Sequence, residues 1–373
     1  MHSRTRAIAL ACVVAASRLG AQDGIDHIDV HGFGGWSYGR TSKNNVYLGG
    51  LPEGDNRASQ FALNLGASSG DAFHVSAQTS LAEDDNGTHI GLDYAFAEYK
   101  SSDRLRFRIG QVKQPFGLYT ELYNVGTVRP FLSLPQGVYG PVGFAGQSYK
   151  GVGLTGSQML GAWRAEYDVY GGGQNLLKQH VVELYYHDEP LDDGADPIEL
   201  LSTRNVVGSR LIMRTPIAGL SFGGSAYTGI LDEEAANRRT VVSGQLEYLS
   251  DRWSVRSEIA SQHQVGDEDA TGWYGEAAYR FAERWQAGAQ YNRLTNTFYG
   301  VDASAAPSLQ HHNEGVVGLN YWFTPSLVVK LEMHRVDGNR FALPNPAELA
   351  EIIHEGELAK KTSLIRFGGQ FSF

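Results

Sequence analysis

The chain holds a single cysteine, Cys12, and one apolar run of any length, Ala7 to Ala16, in 373 residues. That run is about half of what a helix needs to cross a bilayer, and a mean hydropathy of −0.29 excludes a helical membrane protein. The run follows Arg4 and Arg6 and precedes the small residues Gly20 and Ala21. Residues 1–21 therefore read as a secretory signal peptide cut near Ala21 or Gln22, leaving 22–373 as the exported domain. Cys12 departs with the peptide, so the exported chain has neither thiol nor disulfide. Lipidation of Cys12 is disfavoured because Val13 and Val14 carry the apolar run past it. Loss of Arg4, Arg6 and Arg18 leaves 28 basic residues against 41 acidic ones, a net charge of −13. That sign argues against nucleic acid as a partner.

Proline is missing from a set of segments in which apolar residues alternate with polar ones. About 16 such segments follow Ile28, each roughly 9 to 12 residues long, the length a tilted strand needs to cross hydrocarbon. Examples are Phe61, Leu63 and Leu65; Leu105, Phe107 and Ile109; Trp253, Val255 and Ile259; and Leu327, Val329, Leu331 and Met333. All 12 prolines fall between segments, as expected of a residue that cannot donate to a β ladder. Aromatic pairs such as Trp36 and Tyr38, Tyr94 and Phe96, and Tyr321 and Phe323 sit toward segment ends, which suits the headgroup girdles of a bilayer. A soluble sandwich with one wet face is the alternative; strands this long, with no second set of core residues, speak against it.

Tight connections near 69–71, 101–103, 157–161, 215–219, 250–252, 282–284 and 324–326 alternate with longer ones near 39–56, 82–88, 113–148, 172–203, 231–238, 263–270, 296–311 and 337–360. The fold class expected is all-β: a transmembrane antiparallel up-and-down barrel of about 16 strands, with both termini at the short-turn rim. The last strand, Lys361 to Phe373, places Ile365, Phe367, Phe371 and Phe373 on one face. A terminal amphipathic strand ending in Phe resembles the assembly signal of outer-membrane barrels, which implies that role for Phe373.

The third long connection, 113–148, holds four prolines and follows the fifth strand. Here the chain resembles bacterial outer-membrane porins of about 16 strands, and Gly110-Gln-Val-Lys-Gln-Pro-Phe-Gly117 is similar to a Gly-x-x-x-x-Pro-Phe-Gly segment of the phosphate-selective group. The resemblance implies a loop folded into the pore as its constriction, passive diffusion of small hydrophilic solutes, a homotrimer, no cofactor, no catalysis, and placement in the outer membrane of a Gram-negative-type bacterium. A Pro- and Gly-rich loop of this length suits an inner wall better than open solvent.

Arg104, Arg106 and Arg108 alternate with Leu105, Phe107 and Ile109, and a charge on the lipid face costs about 2 to 4 kcal/mol at the midplane. The arginines are therefore expected in the lumen. The same phase rule sends Arg164, Arg210, Arg214, Arg256, Arg280, Lys330 and Arg366 inward, and the third loop adds Lys113 and Arg129 against a lone Glu121. A basic constriction favours anions. Glu166, Asp168, Glu247, Glu258, Glu276 and Glu332 also face inward, so pairing competes with that effect. Acidic loop clusters at 83–85, 188–196, 232–234 and 267–269 suit either solvent or divalent cations shared with lipopolysaccharide phosphates.

Other signals carry less. Gly151-Val-Gly-Leu-Thr-Gly156 and Gly66-Ala-Ser-Ser-Gly70 match a dinucleotide fingerprint and a nucleophile elbow, but neither is followed by the helix those motifs need. His311, His312 and His354 fall in or beside long connections, and no His-Glu-x-x-His spacing exists for zinc. An outer-membrane hydrolase lacks a paired Ser and His at the rim. A non-conducting barrel acting as an adhesin or binding protein remains the alternative to a channel, separated from it by conductance.

Overall fold

The computed structural model describes residues 25–373 apart from 44–46, 49, 57, 85–86, 123–124, 141–143, 180–197, 232–236, 300–306 and 343–358. The proposed signal peptide, His354 and the acidic clusters at 188–196 and 232–234 lie outside the described residues.

Sixteen strands run in chain order: β1 His27–Thr41, β2 Ser59–Ser69, β3 Phe73–Asp84, β4 Gly87–Ser102, β5 Leu105–Lys113, β6 Ser148–Leu160, β7 Trp163–Gln179 and β8 Ile198–Arg214. They continue as β9 Leu220–Leu231, β10 Arg238–Leu249, β11 Trp253–Gln264, β12 Glu268–Arg280, β13 Trp285–Phe298, β14 His311–Thr324, β15 Leu327–Asp337 and β16 Lys361–Ser372. Each pairs antiparallel with its neighbours in sequence, and β16 pairs with β1 to close the barrel. Closure leaves no sheet edge, which hydrocarbon requires because it offers backbone groups no partner. Every described proline lies outside the strands.

Alternation works as expected on most strands. Phe107 and Ile109 face outward, as do Leu331, Met333, Ile365 and Phe367. At the short-turn rim the outward face carries stacked or edge-on aromatic pairs: Trp163 with Phe222, Trp253 with Tyr279, and Trp285 with Tyr321, at centroid separations of 6.0, 4.5 and 4.9 Å. Phe373 closes the seam. Its backbone exchanges hydrogen bonds with Gly32 at 2.8 and 3.0 Å, and its ring stacks 6.4 Å from Phe61. A Cβ on Gly32 would lie 2.3 Å from that ring, so a larger residue there would push the ring aside.

Three expectations fail, two of them through irregular backbone that single-residue alternation does not register. Strands reach 17 residues in β7 and β8, so much of the expected loop 172–203 is ladder. Bulges at Gly172/Gln174 and Arg204/Val207 break the period there. The connections expected at 82–88 and 263–270 are short, because the ladders run to Asp84 paired with Gly87 and to His263 paired with Asp269. Tyr94 and Phe96 face the lumen and not a lipid girdle. The β3–β4 register steps from Gln78 opposite Tyr94 to Thr79 opposite Leu92 and so skips Asp93, and an inserted residue sends every later side chain to the other face. The Asp93 carboxylate, itself turned inward, accepts from Gln78 and Ser80 at 2.6 Å each.

Candidate functional site: the inner wall and its third loop

The connection 114–147 lies against the inner wall. It carries 3₁₀ turns at Thr120–Leu122 and Gly126–Val128 and one helical turn, α1, at Gln136–Tyr139. Three neighbouring wall strands hold its middle. Lys330 on β15 is fully buried and donates to the carbonyls of Gly126, Arg129 and Phe131 at 2.9, 2.7 and 3.2 Å. Asn320 on β14 donates to Pro130 O at 2.8 Å, and Glu332 accepts from the Leu132 N–H. Phe131 rests on bare backbone, since a Cβ on Gly288 or Gly318 would come within 3.0 or 3.1 Å of its ring.

Farther round the barrel, Gly137 N–H donates to Asn292 at 3.0 Å. Tyr139 donates to Glu258 at 2.6 Å, Tyr119 donates to Glu276, and Tyr227 donates to Phe144 O at 2.5 Å. Burial, reinforced by Glu258, pushes the Tyr139 hydroxyl well above the usual phenol range. Burial beside Glu276 does the same for Tyr119. Both phenols thus stay protonated and keep donating.

The loop therefore covers an acidic wall. Glu258, Glu276 and Glu332 are 2, 4 and 1% exposed, and Glu314 beside them is 1% exposed. Arg256 joins this covered set, 2.8 Å from Glu247 and 3.3 Å from Glu276. Arg366, also buried, donates to Ser37 at 3.0 Å. Arg256, Lys330 and Arg366 face inward as expected, but Arg256 and Lys330 do so as ties beneath the loop and Arg366 as a tie from β16 to β1. Arg129 is a buried loop residue that donates to Leu132 O at 3.1 Å.

The wall of β4–β8 is left open and is differently charged. Glu98 is shared by Arg106 at 3.6 Å and Arg108 at 2.7 Å. Glu166 is shared by Arg164 at 3.3 Å and Arg214 at 2.7 Å. Arg210 bridges Asp168 at 2.8 Å and the loop's Glu121 at 3.1 Å, and Lys113 donates to Glu121 O at 3.1 Å. With Asp93 of β4, five carboxylates stand against these six cations. Burial by itself raises the Glu121 carboxyl, but Arg210, with Arg108 and Lys113 farther off, outweighs it and holds the group below the ordinary range. Arg104 departs from expectation: it sits in the turn before β5, exposed, and not on the strand. Arg280 stacks over Trp322 at 5.4 Å. With Arg129, Arg252 and Arg256 it bounds a recess of about 190 Å³ at the short-turn rim, where Asp251 is the one carboxylate. At the long-loop rim, a cleft of about 990 Å³ opens between the loop and β5–β8, lined by Gln147, Ser148, Asn175, Ser202 and Thr203 among others.

Histidine is where reading the sequence missed most. His312 is fully buried on the inner face and not on a loop surface, with Tyr47 of the first loop 3.2 Å from its Nε2. His334 on β15 lies 2.8 Å from Glu314 and 3.1 Å from Glu332. The outward phase of Val317 and Leu319 already implied an inward His312. Among the described residues no group of three or more His, Cys, Asp or Glu has the arrangement to hold a metal ion.

A closed 16-strand antiparallel barrel, greasy outside and charged within, is the architecture of an outer-membrane porin. The chain belongs to the phosphate-selective porin O and P family, whose model matches residues 67–341. No curated protein matches it by sequence. Among solved structures it is similar in fold to the outer membrane channel DcaP of Acinetobacter baumannii, at 10% identity and a TM-score of 0.58, covering 95% of this chain and 99% of that one. It is also similar to an anion-selective porin from Comamonas acidovorans, at 9% identity and a TM-score of 0.56, covering 93 and 99%. OmpT of Vibrio cholerae, solved in a trimer form, matches at 10% identity with a TM-score of 0.54, covering 93 and 99%. The protein is thus an outer-membrane porin, a channel for passive diffusion of small hydrophilic solutes.

Proposed function

We propose that this channel prefers anions and that its third loop sets both constriction and preference. The supporting observation is what the loop covers. Three carboxylates of the β11–β15 wall are hydrogen-bonded beneath it. On the open side Arg106, Arg164 and Arg214 are 38, 52 and 53% exposed, while their partners Glu98 and Glu166 are 12 and 26% exposed. A passing ion meets guanidinium before carboxylate, in a narrow space where screening is weak. The guanidinium-rich recess at the periplasmic rim continues the same sign. An anion-selective porin shares the fold, which is consistent with the reading without carrying it.

Reversal potentials of the reconstituted channel in a potassium chloride gradient test the proposal. Anion preference is expected, and cation preference rejects it. A barrel without stepwise conductance would instead favour the binding or adhesin reading. A homotrimer completes the proposal, to be checked by light scattering in detergent. The fold and family are those of diffusion channels, and catalysis forms no part of this reading.

A further inference from the structure

On the strands, cations that face outward are not scattered. Among the described residues Arg40, Lys150, Arg204, Arg238, Arg293, Arg335 and Lys361 alternate in phase with lipid-facing positions and are exposed. Each lies in the half of its strand nearest the long loops. The opposite rim carries aromatics on this face instead. Four of the seven gather on five adjoining strands, β13 to β16 and β1. Arg293 stands opposite Asn313 on β14, and Arg335 stands opposite Gly315 two residues along the same strand. The two arginines thus flank β14, on strands about 10 Å apart. Between them, the Cβ position of Gly315 has nothing within 4 Å, which leaves an open trough. Arg335 donates to Ser363 at 2.8 Å, Lys361 and Arg40 lie on the next two strands, and among the described residues of these strands Asp337 is the one carboxylate on this outward face. Toward the midplane the trough is continued by the exposed apolar side chains Val317, Met333 and Ile365.

We infer that this face is a binding site for a phosphorylated glycolipid of the outer leaflet. Guanidinium pairs recognise phosphate through fixed parallel donors, and acyl chains fit the apolar strip directly below. Charge selects the occupant: with Asp337 set against the four cations, a phosphatidylcholine-like zwitterion leaves a net positive face uncompensated, whereas a lipid A-type headgroup carries the phosphates that match it. The site rests on the outer-membrane placement and is independent of anion preference in the pore. It also differs from an attachment through acidic loops and divalent cations, because here the protein supplies the positive charge.

The test uses the mature barrel in phosphatidylcholine nanodiscs doped with lipid A, either bearing its two phosphates or enzymatically dephosphorylated, and measures lipid A retained after purification. Arg293→Gln with Arg335→Gln is expected to lower retention of the phosphorylated lipid about 30-fold, at the strength typical of two surface cations near anionic lipid. Arg293→Lys with Arg335→Lys restores most of it. The dephosphorylated lipid is retained equally weakly by wild type and variant. Equal retention of phosphorylated lipid A by wild type and the glutamine variant overturns the site, as does wild-type retention of the dephosphorylated lipid at the same level. Single-channel conductance of the variant stays at the wild-type value, so failure here is separable from failure of the channel reading. Should the double variant not fold, Arg293→Gln alone, whose side chain makes no hydrogen bond or ion pair among the described residues, gives about a fivefold loss.

Discussion

Lys330→Met is the substitution that most directly separates the loop from the barrel. The Lys330 ammonium is 0% exposed and serves three loop carbonyls at 2.7 to 3.2 Å. Methionine keeps a similar stem, so packing changes little, but Gly126, Arg129 and Phe131 lose a donor. Each orphaned buried carbonyl costs about 1 kcal/mol at the low end of the usual range. Relief of the buried charge offsets part of any larger sum, so about 3 kcal/mol is a working figure for the loop's hold. That raises the ratio of undocked to docked loop roughly 150-fold. The β ladder is untouched, since Lys330 remains paired through its backbone with Asn320 and Gly368. Hydrogen exchange of the peptide spanning 125–132 should accelerate strongly while strand peptides stay protected, and planar-bilayer recordings should show a larger, noisier conductance. Wild-type exchange in that peptide together with unchanged conductance would refute the idea that Lys330 holds the loop.

Other expectations follow from the same geometry. Arg164→Glu with Arg214→Glu reverses two exposed charges around Glu166, and the zero-current potential in a salt gradient should move toward cation preference; an unmoved potential shows that these side chains lie off the ion path. Gly272→Val should displace α1, because a Cβ at 272 would sit 1.9 Å from Gly137 O; overpacking of this kind costs about 1 to 3 kcal/mol, read as faster exchange of residues 136–140. The Arg210–Glu121 pair predicts a pH response of definite sign. A carboxyl held below its ordinary value stays ionised above that value, and its contribution is lost only as pH falls through the depressed one. Conductance should therefore be insensitive to this pair from neutral pH down past the ordinary carboxylate range. In Arg210→Gln, only the more distant Arg108 and Lys113 still oppose the rise, and the response should move to higher pH; titration of conductance in both proteins checks this.

Alternation alone determined that the chain closes into a barrel, because hydrocarbon on one face and water on the other impose a period of two on any strand that spans. It also placed Arg106, Arg108, Arg164 and Arg210 inward. Prolines marked the connections for an equally local reason. What alternation does not register is a backbone that inserts a residue, and so Asp93 turned Tyr94 and Phe96 to the lumen unannounced. Nor does it say which inward charges meet. Lys330 and Arg106 carry the same phase, yet one lies beneath a loop folded against the far wall while the other stands in open lumen. That division depends on contacts between residues some 200 positions apart, such as Lys330 with Gly126. Only the closed barrel brings them together, and only there does the loop hide the acidic wall and leave the basic one uncovered.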